Sequence, residues 1–364
     1  MSALGNGDAP AVGRDVGADG PAIRRALERT WWPVALSSEI DAPFQTTLLD
    51  VPLVVYRGGD GAARVSSSVC PHRWASLGDG TVVGDAIECP YHGWRWDGGT
   101  GECVHVPSLA DASRIPRSAR LKTYEAVEKW GLVWTCLSDV PASPLPEPSW
   151  TWLEDGEWFT GTGRSDVDAN LLFVQENFRD VAHFHFVHPT TIPTVSPLVE
   201  SLRPVREGYE LHLERVLEVT ETGEHWYVPG QIIINYDVVV PGVVCWSEGT
   251  HDRRSRYLLH VPSPLSLSES RIFYVTGVRA EQEHLLEEYV GRDLEIFRED
   301  RAVVGAIVPR ELGAGGLDDQ VHTLSDVLTL MFRRAFFDWI EEAGGENAVA
   351  VTAADSDTRI QELG

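Results

Sequence analysis

From Trp31 to about residue 137, apolar positions arrive in short runs, alternating with polar ones or bunched between turn residues. Thr46–Leu49, Leu53–Tyr56, Ala63–Ser67, Ala86–Cys89 and Gly131–Cys136 read as strands, because period-2 patterning bounded by Gly, Pro and Asp suits half-buried β-structure. The second half changes character. Strand-like runs at Leu211–Val219, Gln231–Val240, Tyr257–Val261 and Arg271–Val278 alternate with stretches of helical period near 169–187, 283–308 and 324–342. Strands flanked by helices at both ends predict an α+β unit. The Pro-rich run Pro141–Pro148 separates the halves, giving a first unit over 27–140, a linker over 141–150 and a second unit over 151–364. Residues 1–26 read as a flexible lead, rich in Gly, Ala and Asp, with a short helix from Pro21 to Arg29 at its end.

Composition narrows the picture. A chain of 364 residues is comfortable for two domains, and 43% hydrophobic with 9% aromatic residues describes an ordinary globular protein. The net charge of −25 argues against nucleic acid or an anionic membrane as partner. Its bland reading is solubility, and its sharper one is steering of a basic redox partner. There is no long apolar span and no basic-then-apolar signal pattern at the N-terminus. Of the five Cys, Cys103, Cys136 and Cys245 read as free thiols of a reducing cytoplasm.

The most specific chemistry lies in two boxes, Cys70-Pro71-His72-Arg73 and Cys89-Pro90-Tyr91-His92, with 16 residues between His72 and Cys89. One Cys and one His from each box is what a Rieske [2Fe–2S] cluster requires, two thiolates on one iron and two imidazoles on the other. Neutral imidazoles in place of thiolates make the cluster easier to reduce, at roughly −150 to +300 mV against about −400 mV for plant-type clusters. A structural zinc site is the competing reading, but zinc boxes usually pair Cys with Cys and His with His. Trp94, Trp96 and the glycines Gly93, Gly98, Gly99 and Gly101 supply aromatic cover and turns.

A second histidine cluster, Gln175-Glu-Asn-Phe-Arg-Asp-Val-Ala-His-Phe-His-Phe-Val-His188, points to a mononuclear metal. Two His and one carboxylate with open positions suit non-haem Fe(II). Asn177, Asp180 and His183 share one face of a helix. His188 lies about 140° round from His183 and joins it only if the helix distorts or ends there, and Pro189 makes an ending plausible. His185, about 200° round, points elsewhere. The carboxylate comes from Glu295–Ile307, where Tyr289, Phe297, Val304 and Ile307/Val308 form an apolar stripe that includes Asp300. A carboxylate on a buried face needs a cation, so Asp300 is the third ligand and Glu299 its reserve.

In these motifs the chain resembles the Rieske non-haem iron oxygenases, terminal-oxygenase α subunits, from about Trp31 to the C-terminal helix. Glu299-Asp300-Arg-Ala-Val-Val resembles the ligand segment of the homotrimeric branch of dicamba and vanillate O-demethylases, with Gly305 where many relatives carry Glu. The resemblance implies a Rieske β-domain followed by a helix-grip (START-like) catalytic domain. It implies a head-to-tail homotrimer in which Asp180 links His183 of one subunit to His92 of the next, with Asn177 supporting the iron site. It implies one cluster and one Fe(II) per chain, with O₂ as co-substrate and electrons from a separate ferredoxin or NAD(P)H-dependent reductase. The substrate is then an aromatic or polycyclic small molecule, hydroxylated or oxidatively demethylated. Dioxygenation, desaturation and plain electron carriage are the alternatives. Pocket walls are expected around Leu171–Phe173, Ile232–Tyr236, Val244–Trp246 and Phe297, with His260, Asn235, Trp246 and Phe297 on the substrate. His260 resembles a substrate-contacting His of the dicamba branch.

Overall fold

The computed structural model describes residues 20–148, 150–153, 157–192, 196–199, 202–219, 230–250, 253–313 and 320–344. In the first half the short alternating runs become β1 (Trp32–Leu36), β2 (Phe44–Leu48), β3 (Val51–Arg57), β4 (Ala63–Ser67), β5 (Thr81–Val83), β6 (Ala86–Glu88), β7 (Arg95–Asp97), β8 (Cys103–His105), β9 (Thr123–Tyr124), β10 (Ala126–Lys129) and β11 (Leu132–Thr135). They form three antiparallel sheets, ordered β1-β11-β10, β2-β3-β4-β9 and β5-β6-β7-β8. The cysteine boxes fall on the turns around the third sheet, where Ile87, Trp96 and Leu77 are buried with Cys70 and Cys89.

The second half is one antiparallel sheet of β12 (Phe159–Val167), β13 (Val205–Glu207), β14 (Glu210–Val219), β15 (Gly230–Val239), β16 (Val243–Thr250), β17 (Arg253–Pro264) and β18 (Ser270–Val278). Its order is β12-β18-β17-β16-β15-β14-β13. Period-2 alternation gives this sheet two distinct faces. One face, with Cys245, Tyr257, Leu259, Phe273 and Val275, packs on Trp31, Leu132, Trp134 and Trp150 of the first half and linker. The other face is covered by helices α2 (Leu171–Asn177), α4 (Leu286–Val304) and α5 (Val327–Gly344). The sheet is thus a partition between the N-terminal β-domain and the helical layer.

Three expectations need correction. Residues 20–26, assigned to a flexible lead, belong to helix α1 (Gly20–Glu28), because Ile23, Ala26 and Leu27 form one apolar face that packs on α5. Arg25 of α1 and Arg29 just beyond it also donate to the carbonyls of Gly344 and Ala343, at the end of a helix whose own last turn has no basic residue. Residues 1–19 and 345–364 lie outside the described residues. The helix expected over 169–187 is two, α2 and α3 (Phe184–Val187), separated by a turn at 178–183. The apolar stripe of α4 runs Tyr289, Asp293, Phe297, Asp300, Val304 and ends with the helix; Ile307 just beyond still packs on the core, whereas Val308 is 78% exposed.

Strand β12 was not legible, since Phe159-Thr-Gly-Thr-Gly-Arg-Ser-Asp-Val167 has too few apolar positions to alternate. It forms because all nine residues pair with β18, and its glycines make room for neighbours, Gly161 for Val290 of α4 and Gly163 for an aromatic ring. Gly163 lies directly opposite Tyr274, and a Cβ built there would sit 2.2 Å from the Tyr274 ring. Tyr274 in turn packs on Phe297, with ring centroids 5.0 Å apart. Gly163→Ala is therefore expected to displace Tyr274 and to destabilise the fold by about 1–3 kcal/mol, the usual cost of overpacking. Denaturant unfolding of the variant against wild type measures this, and an unchanged midpoint would refute it.

Candidate functional site

The two cysteine boxes are the same turn built twice. In the first, the N–H of Trp74 donates to Cys70 O (2.8 Å) and the N–H of Cys70 to Ala75 O (2.9 Å). In the second, Gly93 donates to Cys89 O (3.0 Å) and Cys89 to Trp94 O (2.8 Å). The fourth residue after each Cys must adopt positive φ, +67° at Gly93 and +61° at Trp74. Gly meets that demand without strain, whereas Trp74 adopts an unfavourable backbone with its side chain 82% exposed.

The turns bring four donors together. Cys70 and Cys89 are buried and unpaired, and their sulfurs approach closely enough to interact. Burial, with Cys89 adding to it, pushes the Cys70 thiol up to about 11. The His72 and His92 rings lie 4.7 Å apart edge to face, and His72 stacks on Trp94 at 4.2 Å. His72 Nδ1 is buried without a hydrogen-bond partner among the described residues. Burial and the neighbouring His92 and Arg73 charges hold the His72 imidazole below its ordinary pKa, so it stays neutral. Two thiols, two imidazoles and an orphaned ring nitrogen fit a [2Fe–2S] cluster.

The second cluster is assembled from the broken helix and α4. His183 sits just before α3 and His188 just after it, so the four-residue helix turns both imidazoles toward Asp300. His183 Nε2 and His188 Nε2 are 3.2 Å apart, and Asp300 Oδ1 lies 3.4 and 3.2 Å from them. These atoms fall within 4.8 Å of one another, the one such group among the described residues. The supporting bonds sort the carboxylates. Glu299 Oε2 lies 2.7 Å from His188 Nδ1 and accepts from the Thr191 hydroxyl, so it faces the far side of the imidazole rather than the centre. Asn177 donates its amide to Asp300 Oδ1 at 3.1 Å. Asp180 Oδ2 lies 3.3 Å from His183 Nδ1, close but not aligned as a hydrogen bond, since that nitrogen has no partner by angle. His185 is exposed.

Electrostatics agree with a cation at this centre. Burial alone would disfavour charge on His183, yet Asp180 and Asp300 raise its pKa to about 9. Burial would raise Asp300, yet the two imidazoles hold it far below the carboxylate range. The donor set thus fits a divalent metal with 2-His-1-carboxylate ligation.

A cavity opens beside these atoms, enclosing about 810 Å³ including its mouth. Its walls come from the break (Asn177, Phe178, Phe184), the sheet (Arg215, Tyr236, Trp246, Arg256, Leu258, His260) and α4 (Asp293, Ile296, Phe297). Of the expected substrate residues, His260, Trp246 and Phe297 line it. Asn235 does not, because it alternates with Ile234 and Tyr236 and so faces the opposite side of β15, fully buried. Leu171–Phe173 pack in the core instead. Sequence reasoning missed Arg256 and Asp293, a buried pair 2.6 Å apart whose Asp also accepts from the Thr276 hydroxyl. Asp293 was in principle visible, seven residues before Asp300 on the same apolar stripe of α4.

The sequence profile of the Rieske [2Fe-2S] domain family matches residues 30–125, and that of the vanillate O-demethylase oxygenase C-terminal domain matches 167–342. The oxygenase component of dicamba O-demethylase from Stenotrophomonas maltophilia is 35% identical over 46% of this chain and 49% of its own length. At this level of identity the chain spans about half or less of the relatives it matches. Methylxanthine N1-demethylase NdmA from Pseudomonas putida is 26% identical over 88% of this chain and 90% of its own. The NdmA structure with caffeine superposes with a TM-score of 0.71 over 89% of this chain and 97% of its own, at 24% identity. Dicamba monooxygenase bound to dicamba gives 0.72 over 86% and 98%, at 22% identity. At these identities the superpositions bear on the fold.

One titration beside the cavity has a measurable consequence. Glu248, opposite Arg256 in register, is 6% exposed and its Oε2 has no partner. Burial pushes its carboxyl up to about 7, against the pull of Arg256. With the folded pKa above the unfolded one, the native state holds the extra proton between about pH 4.5 and 7, so stability falls as pH rises through that window. Glu248→Gln should be more stable than wild type at pH 8 by roughly 1–3 kcal/mol, an advantage that fades toward pH 5. Unfolding midpoints across pH 5–8 test this, and a pH-independent difference would contradict it.

Proposed function

We propose, from the premise that the chain belongs to the Rieske oxygenases and carries a Rieske [2Fe-2S] domain followed by an oxygenase C-terminal domain, that it is the terminal oxygenase component of a monooxygenase system. Its substrate would be an aromatic or polycyclic small molecule, hydroxylated or stripped of an O- or N-methyl group. The observation that carries this reading is the convergence of His183 Nε2, His188 Nε2 and Asp300 Oδ1 at the wall of a largely apolar cavity, in a chain that also holds the paired cysteine turns. Cys70, Cys89, His72 and His92 would hold the cluster, and His183, His188 and Asp300 the iron. When bound, the cluster supplies single electrons and the iron activates O₂ beside the substrate.

The chain's own residues prepare that chemistry. Glu299 accepts a hydrogen bond from the Nδ1–H of His188, which holds the tautomer whose lone pair is on Nε2, facing Asp300. Asn177 fixes the Asp300 carboxylate. Phe178, Trp246, Leu258, Ile296 and Phe297 keep water off the ring of a bound substrate. Asp180 stands behind His183 and is about one-third exposed, and His92 is exposed on its own turn. In a head-to-tail homotrimer these two groups would meet across the subunit contact and carry the electron between sites. Exposed aromatics support such a contact at both ends, Trp74 and Tyr91 (65%) beside the cluster turns and Phe186 (72%) beside the iron site. The electron donor would be a separate ferredoxin or NAD(P)H-dependent reductase. Cys70, Cys89, Cys103, Cys136 and Cys245 all lack disulfides, which suits a cytoplasmic setting. No helix among the described residues is long and apolar enough to cross a membrane.

Iron and sulfide analysis of the anaerobically purified protein should give two cluster irons plus one further iron per chain, with a Rieske EPR signal on reduction. Two irons per chain would reduce the protein to an electron carrier. Glu299→Gln is expected to weaken binding of the mononuclear iron by about 10–100-fold in a chelator competition while leaving the cluster signal intact. Asp180→Asn should keep both metal sites loaded and nearly abolish turnover. Normal turnover in a fully metallated variant would remove the inter-subunit bridge.

A further inference from the structure

The charges that line the cavity are matched except for one. Asp300 faces His183 and His188. Asp293 is held by Arg256, both 1% exposed, and by Thr276. Glu248, on the same sheet row, lies beside Arg256 and Asp293. Arg215 pairs with no carboxylate among the described residues, although its side chain lines the cavity. Its position follows from register. Arg215 of β14 is opposite Ile234 of β15, and Leu213 is opposite Tyr236, so Arg215 shares the cavity face with Ile234, Tyr236, Trp246 and Leu258. The neighbours Glu214 and Val216 are exposed on the reverse side.

Beside Arg215 stands a second unmet group. Tyr236 is 1% exposed, lines the cavity, and its hydroxyl has no aligned hydrogen-bond partner. Arg215 reaches the hydroxyl oxygen by distance though not by angle, and as a pure donor it leaves the Tyr236 O–H without an acceptor. A buried hydroxyl left without a partner costs about 1–3 kcal/mol. A guanidinium fork and an adjacent O–H, both donors, are the complement of two oxygens sharing one negative charge. Apolar surfaces of Ile234, Trp246 and Leu258 adjoin them, as the ring of such a ligand requires.

We infer that Arg215 and Tyr236 form an anion subsite in the cavity, and that the substrate is a small aromatic acid whose carboxylate or sulfonate docks there. This rests on the oxygenase reading for what happens to the substrate, but not for how it binds. Arg215 is a specificity-determining residue here. Its charge selects acids over neutral rings of the same shape, and Tyr236 adds the second donor.

The test uses matched probes that differ only in charge, 3- and 4-methoxybenzoate against 3- and 4-methoxybenzamide, with 4-methoxybenzenesulfonate to separate the two kinds of acid. Binding to the full-length protein is followed by calorimetry, independently of turnover. In wild type, at least one benzoate or the sulfonate should bind about 10–100-fold tighter than its amide, the worth of a hydrogen bond to a charged group. Arg215→Gln should erase that preference and leave amide binding within about threefold. Arg215→Lys should restore part of it. Tyr236→Phe should cost the acids less than Arg215→Gln does. Amides that bind as tightly as the acids in both pairs, or an Arg215→Gln loss shared equally by acids and amides, would overturn the inference. Product analysis with a chemical or enzymatic reductant separates the two claims. If only amides are oxidised, the oxygenase reading stands and the anion subsite falls. If acids bind preferentially but no probe is ever oxygenated, the subsite stands and the oxygenase reading falls.

Discussion

Two imidazole nitrogens and a carboxylate oxygen held within 3.4 Å of each other, largely out of water, are the constraint around which the second half is organised. Such an arrangement is costly as bare protein, because buried polar atoms need partners and buried charge needs compensation. It persists because independent elements press on it from different sides. The turn at 178–183 interrupts what the sequence pattern would make a single helix, and α3 then places His183 and His188 at its two ends. The long helix α4 supplies Asp300 from its buried stripe and Glu299 from the next position round. A continuous helix from 169 to 187 would have spread the two imidazoles about 140° apart.

The sheet decides what lies in front of those atoms. Its period of two commits alternate residues to opposite tasks. Tyr236, Trp246, Leu258 and His260 face the cavity, while Cys245, Tyr257 and Leu259 lock the sheet to the N-terminal β-domain. Burial then tunes the polar members of the cavity face. His260 is pushed down to about 3 by desolvation, so it faces the cavity as a neutral imidazole. Arg256 and Asp293 neutralise each other inside the wall. The cavity thus combines an apolar surface with a few directional groups, the usual make-up of a site that fixes the orientation of a small ring.

The N-terminal domain obeys a different economy. Its cluster turns are held by two equivalent pairs of backbone hydrogen bonds, and that repetition is why a Gly-compatible backbone recurs at Trp74. The strain and exposure of Trp74 sit at the tip of the domain, next to the exposed Tyr91 and His92. The helical layer also receives the start of the chain, since α1 packs on α5 and arginines at its end donate to the last α5 carbonyls.

Much of this was legible in the residues themselves. The spacing within the cysteine boxes, the His183/His188 pair and the apolar stripe through Asp300 are local patterns, and local patterns survive in sequence because backbone geometry repeats every two or 3.6 residues. Strands with clean alternation, such as β4 and β14, were visible for the same reason. What tertiary structure alone decided involves partners distant in the chain. Asp300 rather than Glu299 faces the imidazoles because α4 crosses the broken helix at one particular rotation, which places Glu299 on the outer nitrogen of His188. Within the wall expected over Ile232–Tyr236, Asn235 turns away while Tyr236 faces the cavity, and Arg215 joins it from β14, because strand register, set by long-range pairing, fixes which alternate residues face the helices. The sequence by itself determined which chemical groups the protein carries and on which kind of element. Only the packing of distant elements determined which of those groups face one another, because facing is a property of register and helix rotation, and neither is encoded within a single segment.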